Sequence, residues 1–233
     1  MNVRQIGILI VLLLVPFLLG PGESWKSRRH TMVTEQLIAR GISDERVLDA
    51  MRTVRRHEFI PEDYRDFSYD DSPVPIGHGQ TISQPYIVAL MTELLGLQPH
   101  HRLFELGTGS GYQAAVASLL VEEVYTIEIL TPLAQRARTV LGALGYDNVH
   151  VRAGDGWAGW PEAAPFDRII LTAAATDLPQ SLLDQLKPGG RLIMPLGAKG
   201  AVQELVLVTR SISGEAHVKE LLPVRFVPVT RNP

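Results

Sequence analysis

The stretch that most constrains the fold is LFELGTGSGYQ, Leu103 to Gln113. An apolar run enters Gly107, Gly109 and Gly111, and a helical pattern follows. That sequence predicts a buried strand ending in a tight glycine turn that opens a helix. Gly107 can take backbone angles that a β-carbon forbids. Gly109 lets a ligand approach the main chain, and Gly111 lets the following helix pack onto the strand. The helix N-terminus then presents free N–H groups to whatever is bound.

The spacing narrows the ligand. A dinucleotide turn reads G-x-G-x-x-G; here the spacing is G-x-G-x-G, with Glu105 just ahead of it. That shorter pattern is associated with S-adenosyl-L-methionine (SAM), which has no pyrophosphate to cradle. An acid close to a sulfonium and an α-amino group is electrostatically sensible. An ordinary strand-to-helix turn would produce the same glycines. A second acid supports the cofactor reading. VYTIEI, Val124 to Ile129, is a β-rich run that places Glu128 21 residues after Gly107. An acid at the end of the second strand can take both ribose hydroxyls of a nucleoside, although a solvated strand-end carboxylate would also fit.

Composition bounds the rest. A chain of 233 residues suits one domain with additions, and 45% hydrophobic with 20% charged residues is ordinary for a globular protein. The net charge of −3 gives no sign of a nucleic-acid surface. Cysteine is absent, which excludes disulfides and thiolate metal sites. The seven histidines are scattered, and no metal site is expected. The N-terminus departs from a plain enzyme. Ile6 to Leu19 is almost continuously apolar and is broken by Gly20, Pro21 and Gly22. Its 14 residues are short for a membrane span and right for a signal core. No A-x-A-like cleavage site precedes Pro21. Lys26, Arg28 and Arg29 follow the segment, which by the positive-inside tendency keeps the remainder in the cytoplasm. Export, anchoring and a start codon placed too early all stay open. Residues 1–24 are treated as a leader and 25–233 as one catalytic domain.

Along the chain, Thr31–Arg40 and Asp44–Val54 carry helical periodicity. Gly41 closes the first, and Ser43 or Asp44 caps the second. Arg55–Gly77, rich in Pro, Asp and aromatics, reads as irregular surface structure. Pro85 starts an apolar helical run, so Thr81, Ser83 and Gln84 lie just ahead of a helix N-terminus. Their hydroxyls could cap that helix or line the site. Leu133–Leu144 reads as a crossover helix and Asn148–Ala153 as a strand ending in Gly154-Asp155-Gly156. There Asp155 could reach an adenine edge or simply form the turn. A strand at Phe166–Leu171, small residues at Thr172–Thr176, and a helix at Leu178–Leu186 follow. Lys187–Gly197 feeds another strand, and Glu204–Thr209 and Val224–Val229 are expected to close the sheet. The alternation predicts an α/β domain with a mostly parallel sheet flanked by helices and ligands at the strands' carboxyl ends, where Glu105, Glu128 and Asp155 fall.

Six segments in order carry a family resemblance: GQTISQPYIVA, FELGTGSGYQAAV, the acid of YTIEI, the GDG of AGDGW, LKPGGRLIMPLG and VRFVPV. From about Met32 to Thr230 the chain resembles the protein-L-isoaspartate(D-aspartate) O-methyltransferases. The TISQP segment is the most specific, since other SAM methyltransferases lack it. The resemblance implies a Rossmann-like SAM-dependent methyltransferase fold with extra N-terminal helices. It implies methyl esterification of the α-carboxyl of L-isoaspartyl and D-aspartyl residues in damaged proteins and peptides, which starts repair through a succinimide and leaves S-adenosyl-L-homocysteine. On this resemblance Ser83 is the active-site serine, with Thr81 beside it as a second carboxylate-holding hydroxyl. Cofactor contacts fall on Gln80, Ile82, Glu105, Gly107, Gly109, Gly111, Glu128, Asp155 and Gly156, with Thr230 as a C-terminal hydroxyl contact. It further implies a monomer without a metal or nucleic-acid partner. Typical members are cytoplasmic, so membrane association through residues 6–19 would be a departure. Two other acceptors, a small molecule or RNA, are opposed by TISQP and by the absence of a basic stripe. An exported binding protein has only the leader in its favour, and an oxidoreductase is opposed by the glycine spacing.

Overall fold

The computed structural model describes residues 24–231; the leader expected at 1–24 lies, but for Ser24, outside them. The chain enters as a helical segment running from Trp25 to Arg40. Its first part is α1 (Trp25–Thr31), where the Ser24 hydroxyl accepts from the Ser27 amide at 3.2 Å. The helix therefore begins at Trp25 rather than Thr31; Lys26, Arg28 and Arg29 conceal its apolar period. Gly41 ends the segment at φ 95°, a left-handed angle that favours glycine. Asp44 caps α2 (Glu45–Thr53) by accepting from the Arg46 amide at 3.0 Å.

A hairpin of β1 (Val74–Gly77) and β2 (Gln80–Ile82) comes next, with Val74 opposite Ile82 and Pro75 opposite Thr81. Then α3 (Pro85–Leu95), β3 (Arg102–Leu106), α4 (Tyr112–Ser118), β4 (Glu123–Glu128), α5 (Thr131–Ala143) and β5 (Val149–Ala153) build one half of the domain. The other half is β6 (Phe166–Leu171), α6 (Gln180–Gln185), β7 (Leu186–Leu196), β8 (Gln203–Arg210) and β9 (Ala216–Val224). Seven strands form one sheet in the order β5-β4-β3-β6-β7-β8-β9. The pairs from β5 to β7 are parallel, and the β7–β8 and β8–β9 pairs are antiparallel.

That order matters for function. From β3 the chain moves outward through β4 and β5, then returns to the other side of β3 as β6. Ligands in open α/β sheets bind at such a reversal, at the strands' carboxyl ends. Successive residues on each strand bury against opposite layers. Leu103, Ile170, Ile193 and Leu205 pack with α2, α3, α4 and α5, while Phe104, Ile169, Leu192 and Val206 pack with the α6 side. Two-sided burial explains why these strands read as continuous apolar runs.

Two expectations change. Arg55–Gly77 is not merely surface: it holds two 3₁₀ turns, Arg56–Phe59 and Glu62–Phe67, and the strand β1. Arg56, Phe59 and Ile60 are fully buried. Prolines and acids in this stretch mask a short apolar period. The second closing strand is Ala216–Val224 instead of Val224–Val229. As an edge strand, mostly exposed, it lacks the apolar alternation that would mark it. Residues 224–229 cross the domain instead: Ala174 N donates to Val227 O and Val229 N to Ala174 O, both at 2.8 Å.

Candidate functional site

The carboxyl ends of β3, β4, β5 and β6 open into one cleft. Its floor is set by the parallel register Glu105–Thr126 and Leu106–Ile127. Past the end of β3, Gly107 N and Thr108 N both donate to Ile127 O, at 2.8 and 3.2 Å. Gly107 makes this bend at φ 100°, and a β-carbon there would lie 2.5 Å from the Thr172 hydroxyl. Only glycine fits that position. Gly109 lies in the same cleft at φ 52°.

The two strand-end acids behave differently. Glu128 is almost wholly buried and anchors two turns at once: one oxygen accepts from Gly109 N at 2.8 Å and the other from Leu130 N at 2.9 Å. Glu105 is completely buried, lines the cleft, and has no hydrogen bond to either oxygen among the described residues. The nearby Thr126 hydroxyl is already paired with that of Thr108 at 2.6 Å. Burial, with the charge of Glu128 adding, pushes the Glu105 carboxyl up to about 8.

The structure brings together most of the residues singled out in the sequence. Gln80, Thr81, Ile82 and Ser83 line the cleft from the hairpin side, with Asp155, Gly156 and Thr230 among the residues completing it. The Asp155 carboxylate caps the turn that follows, accepting from Trp157 N at 2.9 Å. Gly111 stands apart. It is not in the lining, and at φ 89° its missing β-carbon leaves room for Leu141 of α5, whose nearest carbon would sit 3.2 Å away. It packs α4 against α5, the packing role read for it from the sequence, while its neighbours Ser110 and Tyr112 line the cleft. No side chain caps α3, so Ser83 does not serve the capping alternative.

Some lining residues escaped the sequence reading. Thr172 follows β6, and its hydroxyl donates to Leu106 O at 3.1 Å. Its only signal was a small-residue run after a strand. Val227–Val229 join the lining because the C-terminal segment crosses the strand ends, which no local pattern reveals. A second cleft abuts the first and shares Thr81, Ser83, Thr172 and Val227 with it. Arg40 and Arg225 also line it, Arg40 being paired with Asp71 at 2.6 Å. One cleft thus offers buried acids, its neighbour offers cations, and hydroxyls stand at the junction.

Comparison with known proteins decides the family. The model of the protein-L-isoaspartate(D-aspartate) O-methyltransferases matches residues 27–233. The chain belongs to this family. A protein-L-isoaspartate O-methyltransferase of Opitutus terrae is 58% identical over 206 residues, covering 88% of each chain. One from Myxococcus xanthus is 55% identical, covering 85% of this chain and 95% of the other. Among solved structures, a protein-L-isoaspartate O-methyltransferase superposes with a TM-score of 0.80 at 30% identity, over 87% of this chain and 66% of that one. Another, described as a family enzyme from Plasmodium falciparum in complex with S-adenosyl-L-homocysteine, gives 0.74 at 29%, over 87% and 99%. The family fold, a mostly parallel sheet flanked by helices, is the architecture described above.

The cleft suits SAM. An unpartnered buried carboxylate is a poor feature for an empty pocket and a good one for a ligand that brings a positive charge. The pH dependence follows. The native state keeps a proton on Glu105 up to about pH 8, whereas the unfolded chain loses it near 4.5. Between those values the native state binds more protons, so ligand-free stability falls as pH rises. Glu105→Gln is therefore expected to match the wild type at the acid end of the window and to melt higher at its alkaline end, when ligand-free melting is followed across it. Binding of SAM by the wild type at neutral pH should release about one proton, measured by calorimetry in buffers of different ionisation enthalpy; the Gln variant should release none. Glu128→Ala is expected to raise the SAM dissociation constant more than about tenfold, because charge-assisted hydrogen bonds are worth roughly 1.5–3 kcal/mol each. Equilibrium binding measures this directly.

Proposed function

We propose that Ser83 and Thr81 align the acceptor in a SAM-dependent methyl transfer to the α-carboxyl group of L-isoaspartyl and D-aspartyl residues in damaged proteins and peptides. The observation that supports this most is position: both residues stand where the acid-lined cleft meets the arginine-lined one. When bound, SAM supplies an electrophilic methyl group. Glu105 would face its positive α-amino end, Glu128 its ribose hydroxyls, and Asp155 with Gly156 its adenine end. Gln80, Ile82, Gly107 and Gly109 would contribute close backbone and side-chain packing, and Thr230 a hydroxyl from the C-terminal segment.

The acceptor carboxylate is ionised at neutral pH. It needs no general base, so the protein's task is alignment and electrostatics. A hydroxyl of Ser83 or Thr81 would donate to one carboxylate oxygen and leave the other free to attack in line. The following backbone nitrogen attacks the ester carbonyl and expels methanol to close a succinimide, and hydrolysis of that ring returns part of the damaged residue to normal aspartate. The acceptor is a peptide chain, and the second cleft, lined by Arg40, Tyr86 and Arg225 among others, is where we place it. We read the protein as a monomer that acts on isoaspartyl proteins without nucleic acid, with its catalytic domain in the cytoplasm where SAM is made. No helix of the described residues is long and apolar enough to cross a membrane. Any attachment would run through residues 6–19, and we treat residues 25–233 as the catalytic domain.

The test is methyl transfer from labelled SAM to a short isoaspartyl peptide, with its aspartyl twin as control. Transfer to the isoaspartyl peptide alone is expected. Ser83→Ala should slow turnover about tenfold or more, as loss of one well-aligned hydrogen bond to a charged group does, with SAM affinity within about twofold. Unchanged turnover would remove Ser83 from the mechanism. A chain lacking residues 1–24 is expected to keep both SAM affinity and turnover in the same assay.

A further inference from the structure

Arg56 is a large, fully buried side chain with a formal charge. Among the described residues no carboxylate lies within ion-pair distance of it. Its guanidinium instead bridges two backbone carbonyls: Nε donates to Ser68 O at 2.7 Å and Nη2 donates to Ser83 O at 2.7 Å. Its third nitrogen, Nη1, has no partner. The group lies 4.8 Å from the centre of the Tyr112 ring, which itself lines the cofactor cleft. Burial pulls the guanidinium down to about 10, which leaves it a cation at neutral pH.

A buried cation without a counter-ion is costly, and two carbonyls and a ring face offset that only in part. The fold keeps it beside Ser83, in a segment that touches both clefts. Ser83 lies beyond the last paired residue of β2 and ahead of the uncapped start of α3. Its carbonyl therefore has neither a strand nor a helix partner of the usual kind, and Arg56 supplies the partner from the interior. On the other side of the same crook, Gln84 Nε2 donates to Asp71 O at 3.0 Å.

We propose that Arg56 is a positioning residue for the acceptor: it holds Ser83 by its carbonyl and sets a fixed positive charge behind the place where the anionic carboxylate must dock. The inference rests on the acceptor role read above for Ser83. It has a signature that packing alone lacks. A fixed positive charge favours an anionic acceptor and disfavours a cationic ligand, so its removal acts on the two in opposite directions. SAM and S-adenosyl-L-homocysteine differ by a methyl group and one positive charge, which makes their affinity ratio a probe of that charge.

The experiment compares the wild type with Arg56→Met and Arg56→Lys in the full-length protein, using SAM, S-adenosyl-L-homocysteine and the isoaspartyl peptide. Arg56→Met is expected to lower kcat/KM for the peptide by about tenfold or more and to shift the affinity ratio toward SAM by about twofold or more. Arg56→Lys cannot span both carbonyls, and a buried ammonium sheds its proton more readily than a guanidinium. Its kcat should fall at every pH, while its affinity ratio should hold at the wild-type value at low pH and move toward SAM as pH rises. If Arg56→Met does not fold, the Lys variant carries the test, and wild-type kcat/KM in it would overturn the proposal. So would equal losses of SAM, S-adenosyl-L-homocysteine and acceptor in Arg56→Met. Ser83→Ala, run alongside, separates the two readings. Unchanged turnover there defeats the role of Ser83 itself, whereas a slowed Ser83→Ala with unaffected Arg56 variants defeats only the role of Arg56.

Discussion

The Glu128 carboxylate ties the site together. It accepts from Gly109 N in the turn after β3 and from Leu130 N in the turn after β4. Those two turns belong to different strands, and the carboxylate joins them beyond the last backbone bonds, from Gly107 N and Thr108 N to Ile127 O. The parallel register of β3 and β4 delivers Glu128 to that point. A slip of one residue would bring an isoleucine, Ile127 or Ile129, into its place and turn the carboxylate to the other face. The glycine turn would be disturbed with it, since Gly107 N and Thr108 N donate to Ile127 O of the same strand, and its second half would lose its anchor. Cofactor recognition in this fold is thus an outcome of strand pairing before it is an outcome of any contact to a ligand.

With Glu128 so engaged, Glu105 takes the opposite part. The two acids sit at the ends of neighbouring strands, yet one accepts a backbone N–H on each oxygen and the other has no hydrogen-bond partner among the described residues. Environment, and not residue type, divides their work. Burial pushes the Glu105 carboxyl up to about 8, and a positive group brought beside it would favour the carboxylate. Its neighbour raises its proton affinity further, so the anchor of the turn also tunes the other acid of the cleft.

Much of the cofactor side was legible because it is local. The glycine spacing, Glu105 just ahead of it, and Glu128 at the next strand's end lie within one β-α-β passage, where chain order and spatial order coincide. Gly107 shows the reasoning at its most direct: a positive φ and a 2.5 Å approach to the Thr172 hydroxyl leave no room for a side chain. Gly111 shows its limit. Its left-handed angle looks the same in sequence, but what its missing β-carbon accommodates is Leu141, on a helix that follows the next strand. The C-terminal segment was harder still. Residues 227–230 reach the cleft through a bridge between Ala174 and Pro228, a pairing between chain segments with no mutual sequence signal. The edge strand β9 was misplaced for a similar reason, since an exposed edge needs no apolar alternation.

The acceptor side depends on the region that composition describes least well. Arg55–Gly77 looks like a surface loop because proline, aspartate and tyrosine dominate it. Its function in the fold is to bury Phe59 and Ile60, to place Arg56 in the interior, and to deliver the β1–β2 hairpin to the rim of the cleft. Hydrogen bonds run between its own short turns, as from Arg56 to Ser68 O and between His57 and Tyr69, with no helical or strand period for a pattern to reveal. The consequence is a division of labour within the chain. The sheet supplies a rigid cofactor floor through its register, while an irregular segment, held by hydrogen bonds to backbone carbonyls, sets where Ser83 stands. A methyl transfer that needs alignment more than proton chemistry depends on both, and the second is the part that a single misplaced carbonyl would disturb.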